Sequence, residues 1–240
     1  MTALNLSSLA LYGTLPSSLY ALSFLVSLEL SRNSIVGSLP PSLPWTLKYL
    51  NIRSNSLTGT VPHTLWSFSG LSWQYRIIGS KGALSNLIVL DLSGNSLSGT
   101  LPHDVGIVLS SLVTLTLSHN LLYGTIPWSV GSMSALLNLD ISYNRFSGPM
   151  PASLGYLTHL VRVDLEGNRL TGEIPATFCN FTATTELSLG QNLFACCPPC
   201  LEVMDSGACY SLTPCFNGKC HWSHVRTSVT YVPPSIFSLK

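Results

Sequence analysis

Leu136-Leu137-Asn138-Leu139-Asp140-Ile141-Ser142-Tyr143-Asn144-Arg145-Phe146-Ser147-Gly148-Pro149-Met150-Pro151 sets a pattern that returns along most of the chain. An asparagine stands three residues after an aliphatic residue, a glycine four residues later and a proline seven residues later. Asn33, Asn55, Asn95, Asn120, Asn144, Asn168 and Asn192 follow Leu30, Ile52, Leu92, Leu117, Ile141, Leu165 and Leu189 in this way. All but the last are followed by glycine, at Gly37, Gly59, Gly99, Gly124, Gly148 and Gly172. All seven are followed by proline, from Pro40 and Pro62 through Pro175 to Pro199. An opening copy has Leu9 in place of the asparagine, then Gly13 and Pro16. The period settles at 24 residues from Asn120 to Asn192. A fixed period of this length marks a solenoid, in which stacked neighbours bury a face that no single repeat can bury alone.

Within one period the chemistry follows from residue type. Asn138-Leu139-Asp140-Ile141 and Arg162-Val163-Asp164-Leu165 alternate polar and apolar, as a short half-buried strand does. Leu139, Ile141, Val163 and Leu165 are expected inside, and Asn138, Asp140, Arg162 and Asp164 outside. Successive strands then pair side by side into a parallel sheet. An asparagine at the turn leaving the strand has two donors and an acceptor for the backbone of an inward-turning loop. Stacked asparagines are therefore predicted to form a ladder. Glycine suits a turn with unusual dihedrals, and proline suits the opposite side, where the chain must not join a continuous ladder.

Leu136 to Gly148 resembles the leucine-rich repeat. The endings Gly124-Thr125-Ile126-Pro127 and Gly172-Glu173-Ile174-Pro175 are similar to its plant-type subclass, used by receptor-like proteins, receptor kinases and polygalacturonase-inhibiting proteins. The resemblance covers residues 2–201. It implies a curved solenoid whose strands line a concave, ligand-binding face. The expected fold is an α/β solenoid, a right-handed leucine-rich repeat superhelix of about eight coils, with a parallel concave β-sheet and a cysteine-rich C-terminal cap. The expected domains are a solenoid at 1–201 with an insertion at 63–83, and a cap and tail at 202–240.

Composition agrees with one elongated domain of 240 residues: 46% is apolar, and only 9% is charged, with a net charge of +1. No basic run points to nucleic acid, and no apolar stretch is long enough to span a membrane. The chain enters a strand within four residues, with no leader pattern and no N-terminal cap, so an N-terminally truncated sequence is expected. Compartment is read from cysteines. Cys179 precedes six more, Cys196, Cys197, Cys200, Cys209, Cys215 and Cys220. Cysteines packed after a repeat array suggest a disulfide-stapled cap in an oxidising compartment, with one of the seven left over. Asn5-Leu6-Ser7 and Asn180-Phe181-Thr182 are glycosylation sequons. Together with the resemblance, these features imply an extracellular or cell-surface glycoprotein.

The period breaks between Asn55 and Asn95, 40 residues apart. The surplus falls in 63–83, with Trp66, Trp73, Tyr75 and Arg76. It reads either as a loop contacting ligand, since aromatics and arginine are common anchors, or as a degenerate repeat folded onto the core. Other chemistry is poorly supported. Ser118, His119 and Asp140 could lie close together, but neither a nucleophile elbow nor an oxyanion hole accompanies them. Cys215, Cys220, His221 and His224 match no familiar zinc spacing. No phosphate loop lies between a strand and a helix. Neither a cofactor nor a metal is expected, and a non-enzymatic role is.

Only the outward strand positions and the insertion are free to differ between coils. The expected ligand-binding residues are Tyr49, Asn51, Arg53, Val89, Asp91, Thr114, Thr116, His119, Asn138, Asp140, Tyr143, Arg162 and Asp164. The partner expected is a protein, peptide or glycan. Six of the ten acidic residues, Glu29, Asp91, Asp140, Asp164, Glu166 and Glu186, belong to this face. A secreted inhibitor of a wall-degrading glycosidase and a structural surface coat are the alternatives.

Overall fold

The structure is a computed structural model that describes residues 2–66, 84–181 and 183–195. Each repeat opens with a strand of three residues: β1 (Ala3–Asn5), β3 (Ser27–Glu29), β5 (Tyr49–Asn51), β7 (Val89–Asp91), β9 (Thr114–Thr116), β11 (Asn138–Asp140), β13 (Arg162–Asp164) and β15 (Glu186–Ser188). They form one parallel eight-stranded sheet in that order. Register is strict: Leu50 pairs with Leu28 and Leu90, and Leu139 with Leu115 and Val163. From β3 onward the middle residue of each strand is buried and its two neighbours face outward. A one-residue slip would turn the whole leucine file to solvent, so the pattern fixes the register.

The aliphatic residue after each strand turns into the interior, and the asparagine closes that turn. Asn144 Nδ2 donates to Leu117 O at 2.9 Å in the preceding repeat and to Ile141 O at 3.2 Å in its own. Its Oδ1 accepts from Leu122 N at 3.0 Å. The same three-way bonding recurs at Asn33, Asn55, Asn95, Asn120, Asn168 and Asn192. The predicted ladder is therefore present, bonded to backbone throughout. Asn120, Asn144, Asn168 and Asn192 are buried, whereas Asn33, Asn55 and Asn95 are half-buried.

The glycines and prolines divide their work as expected, the glycines taking the unusual dihedrals, but they do so at strands as well as turns. A second layer of parallel strands follows the ladder. It comprises β2 (Tyr12–Thr14), β4 (Ser34–Gly37) and β6 (Ser56–Leu57) in one sheet. A five-stranded sheet holds β8 (Ser98–Gly99), β10 (Leu121–Gly124), β12 (Arg145–Pro149), β14 (Arg169–Gly172) and β16 (Leu193–Phe194). The repeat glycines sit in or beside these strands with positive φ, +84° at Gly124 and +78° at Gly148, where a side chain would be strained. The prolines instead start the turns that follow. Pro127 and Pro151, at φ −66° and −71°, precede the 3-10 turns Trp128–Ser132 and Ala152–Tyr156, because the ring presets the dihedral needed there. Further 3-10 turns span Ser17–Ala21 and Ala176–Asn180. The α component of the expected α/β solenoid is slight among the described residues, with two four-residue turns, α1 (His63–Trp66) and α2 (Val105–Val108).

The turns stack backbone on backbone. A Cβ on Gly106 would run into the Ser129 carbonyl, one on Gly131 into that of Ser153, and one on Gly155 into that of Thr177. Between the two layers lies a continuous apolar core of mostly leucine, with Phe146 and Phe178 filling it in the C-terminal half. Trp66 is buried in this core, which corrects its expected role as a ligand contact in the insertion. Trp73, Tyr75 and Arg76 lie outside the described residues, as do Cys196, Cys197, Cys200, Cys209, Cys215, Cys220 and the expected cap at 202–240. Cys179 is disulfide-bonded.

Candidate functional site

Strict register sorts the outward side chains of the main sheet into files running along the stack. The file that opens the strands reads Tyr49, Val89, Thr114, Asn138, Arg162 and Glu186, and the file that closes them reads Asn51, Asp91, Thr116, Asp140, Asp164 and Ser188. The thirteen expected ligand-binding residues lie on this face or on the turn bordering it.

The closing file is less free than its variety suggests. Asp91 Oδ1 accepts the Ser93 N–H at 2.9 Å and the Ser93 hydroxyl at 2.6 Å. Asp140 does the same for Ser142 at 3.1 and 2.6 Å. Asn51 accepts from Arg53 N, Asp164 from Glu166 N and Glu29 from Ser31 N. A side-chain acceptor here fixes the turn two residues on, which favours Asp, Asn or Glu independently of any ligand. What remains for recognition is the second carboxylate oxygen and the charge.

Past the strands, a second border file occupies left-handed backbone: Arg32, Ser54, Gly94, His119, Tyr143, Gly167 and Gln191, with φ between +50° and +68°. In it the His119 and Tyr143 rings stack at 4.6 Å and 7° between planes. Gly167 leaves the room for this, since a Cβ there would stand 2.7 Å from the Tyr143 ring. The Tyr143 hydroxyl donates to Glu166 Oε1 at 2.9 Å, and Gln191 Nε2 donates to the same oxygen at 2.7 Å. On the strands alongside, the Arg162 guanidinium lies 3.1 Å from Glu186 and 3.5 Å from Asp164. The result is a continuous polar and aromatic surface over β9 to β15. His119, Asn138, Asp140, Tyr143, Arg162 and Asp164 come together in it, while Tyr49, Asn51 and Arg53 form a separate group on β5 and its turn.

Charge accumulates on this surface. Asp140 and Asp164 are register partners on β11 and β13. The Asp164 carboxyl is held above the ordinary aspartate value of 3.8, mainly because burial strips its water. Asp140 and Glu166 push the same way, and Arg162 and the Glu166 N–H partly offset them. Glu166, Gln191 and Gly167 were not among the expected ligand-binding residues. The signal was available in the aligned repeats, where Glu166 stands in the file of Ser31, Ser93, Ser118 and Ser142.

Other chemistry is not assembled. His119 is stacked on Tyr143, and no hydrogen bond among the described residues joins it to Ser118 or Asp140. No group of His, Cys, Asp and Glu able to hold a metal occurs among the described residues. No helix among them is long and apolar enough to cross a membrane. Asn5 and Asn180 are both exposed, and Asn5 Oδ1 accepts from the hydroxyl of its own Ser7 at 2.8 Å.

Comparison with known proteins places these features. The Leucine Rich Repeat model matches residues 24–45, 46–68, 86–106, 111–133, 135–157 and 159–181. Receptor-like protein 32 of Arabidopsis thaliana is 42% identical over 57 residues, 22% of this chain and 7% of that protein. The Arabidopsis receptor kinase HAESA, solved with the peptide hormone IDA and the co-receptor SERK1, is similar at a TM-score of 0.58 and 29% identity, over 76% of this chain and 32% of that one. A plant ice-binding protein is similar at a TM-score of 0.62 and 29% identity, over 81% of this chain and 58% of that one. The chain thus spans less than a third of these receptor relatives. Repeat, ladder, second sheet and relatives agree that the chain belongs to the leucine-rich repeat family, in its plant, receptor-like branch.

Proposed function

We propose that the chain is a non-catalytic recognition module, an ectodomain or part of one, of a cell-surface or secreted leucine-rich repeat protein. It binds a protein or peptide ligand on the outer, concave face of the main sheet. The observation that carries this reading is the contrast within each strand. The middle residue is an aliphatic committed to the core, while its neighbours differ between repeats and converge, over β9 to β15, on the Tyr143–Glu166 and Arg162–Asp164 groups. Variation on a constant scaffold is what a recognition surface requires. The likeness to receptor ectodomains supports the same reading. The cysteine-rich tail then acts as the disulfide-stapled cap, and Cys179, already oxidised, supports an extracellular setting.

The test is selection of binding proteins or peptides on the purified chain, repeated with Tyr143→Ala and Arg162→Ala. Each substitution should weaken a selected ligand by more than about 1 kcal/mol, as interface anchors do. Ligands indifferent to both place recognition elsewhere. Inhibition of a wall glycosidase on mixing would favour the secreted-inhibitor alternative.

A second reading rests on a different surface. Thr14, Thr60, Thr100 and Thr125 are all exposed beside the second layer of strands. The methyl groups of Thr14, Thr60, Thr100 and Thr125 each sit where a Cβ on the next repeat's glycine would touch them. Thr60, Thr100 and Thr125 stand on successive repeats, hydroxyls repeated at the strand spacing of about 4.8 Å order water, and the similarity to an ice-binding protein draws attention to them. Ice recrystallisation in the presence of the chain, compared with Thr100→Tyr, tests it. Equal crystal growth with and without the chain removes this reading.

A further inference from the structure

The middle of the main sheet lacks a contact that its neighbours make. Asn51, Asp91, Asp140 and Asp164 each accept the backbone N–H two residues on. Asp91 and Asp140 also take the hydroxyls of Ser93 and Ser142, both at 2.6 Å. In β9 the closing residue is Thr116, which has no carboxylate to offer. The turn after it is held as elsewhere, with Ser118 O accepting from Gly94 N at 2.9 Å and His119 N donating to Ser142 O at 3.0 Å. Yet no hydrogen bond among the described residues takes up the Ser118 N–H, the Ser118 hydroxyl or the Thr116 hydroxyl. Ser118 is nevertheless buried, with 5% of its surface exposed. Two donors thus converge on the place where Asp91 and Asp140 put a carboxylate oxygen. Buried donors are costly to leave without an acceptor, so this place favours an oxygen brought by a ligand.

The surroundings say what kind of oxygen fits. Asp91 and Asp140 are the register partners of Thr116, one strand to either side. At a strand spacing of about 4.8 Å they stand roughly 10 Å apart across it. Each uses Oδ1 for its own turn, and the ion pairs among the described residues both belong to Arg162, so neither second oxygen is neutralised. An anionic oxygen placed between them is repelled. A hydroxyl is not, because it accepts from Ser118 and still has a proton to donate to a carboxylate. At the border of the same repeat stands the exposed His119 ring. Tyr143 covers one of its faces, and the preceding residue of that file is Gly94, without a side chain, so the other face is uncovered.

Going beyond the protein or peptide reading above, the geometry points to a subsite over Thr116 for a pyranose residue of a neutral oligosaccharide. One sugar hydroxyl takes the place of the missing carboxylate oxygen and accepts from Ser118. Neighbouring hydroxyls on the same rigid ring donate to the second oxygens of Asp91 and Asp140, as charge-assisted hydrogen bonds. The apolar C–H face of the sugar packs on the uncovered face of His119, so that one flat contact and a few placed polar groups fix the ligand together. A uronate or sulfated sugar meets two carboxylates and is disfavoured. A polyamine satisfies the carboxylates but brings no acceptor for Ser118.

The experiment titrates the purified chain with neutral oligosaccharides of glucose, mannose, galactose and xylose, and with oligogalacturonate and spermidine as charged controls. Binding is read by saturation-transfer NMR and calorimetry. At least one neutral oligosaccharide should bind. Thr116→Asp supplies the acceptor that the neighbouring turns already have. It should weaken that sugar by about tenfold or more, while the melting temperature holds or rises. His119→Gln places in this file the side chain that Gln191 already has there, and it should weaken the sugar with melting unchanged. No binding by any neutral oligosaccharide overturns the subsite, as does binding that ignores either variant. A lower melting temperature for Thr116→Asp would show that Ser118 needs no outside acceptor, and overturns it too. Oligogalacturonate bound more tightly than the neutral sugars overturns the assigned class. Spermidine bound in their place, and more tightly by Thr116→Asp, marks a cation site instead. None of these outcomes uses a selected protein or peptide, so this subsite and the reading above fail separately.

Discussion

The Tyr143 ring lies across Gly167, so that a Cβ on that glycine would stand 2.7 Å from the ring. Gly167 also has a φ of +68°, where an L side chain is strained. Gly167→Ala should therefore destabilise the protein by about 1–3 kcal/mol, from strain and overpacking together. In a Tyr143→Ala background the steric share should vanish and the cost should shrink. Urea unfolding of the four proteins in this cycle measures it. Equal costs in the two backgrounds would leave backbone strain alone and detach the glycine from the aromatic stack.

Gly131 makes a different demand. Its φ is ordinary, but a Cβ would meet the backbone of Ser153 in the next turn. Gly131→Ala should lower the unfolding midpoint distinctly, by roughly 1–3 kcal/mol in stability. Ser132→Ala, exposed in the same turn, should change it by no more than about 0.5 kcal/mol.

Asn144 bridges two repeats through its amide, with Leu117 O, Ile141 O and Leu122 N all bonded to it. Asn144→Ala leaves buried backbone groups unsatisfied, each costing about 1–3 kcal/mol. Its effect should exceed that of Ser147→Ala clearly, and that of Asn33→Ala, whose half-buried site admits water to the same groups. Denaturant midpoints of the three variants decide the order, and a tie would show that the ladder adds little.

The scaffold was legible because its constraints recur. A buried aliphatic residue followed by an outward polar one, an asparagine and a proline at fixed offsets recur seven times over, so chance cannot mimic them. The second layer of strands was harder to see. Leu121 to Gly124 or Arg169 to Gly172 is four residues long, and a glycine in a short strand reads first as a turn. The backbone contacts of Gly106, Gly131 and Gly155 were likewise hidden, since they depend on the spacing between turns and not on a local pattern. At the site, the files of outward residues were readable from register, but the Tyr143–Glu166–Gln191 cluster was not. It joins side chains from three successive repeats at positions that vary, and only their rotamers bring them together. The turn-fixing role of Asp91, Asp140 and Asn51 was masked for the opposite reason, because an acceptor serving its own backbone looks the same in sequence as one awaiting a ligand.

Asp164 ties the stability of the main sheet to pH. Its carboxyl keeps only 14% of its side-chain surface exposed, and loss of water is the largest influence raising it above 3.8. With the folded value above the unfolded one, the native state binds more protons in the interval between them. Stability contributed by this group is therefore highest at low pH and falls as pH rises from about 3.8 through the raised folded value. Asp164→Asn removes the charge but keeps an acceptor for the Glu166 N–H, and Arg162 retains Glu186 at 3.1 Å. The variant should match the wild type near pH 3 and gain on it across that interval, ending more stable at neutral pH. Thermal melts of both proteins from pH 3 to pH 8 test the sign. Parallel curves would mean that Arg162 and the backbone donor already compensate the buried charge, and a variant less stable at neutral pH would mean that the Arg162–Asp164 attraction outweighs desolvation.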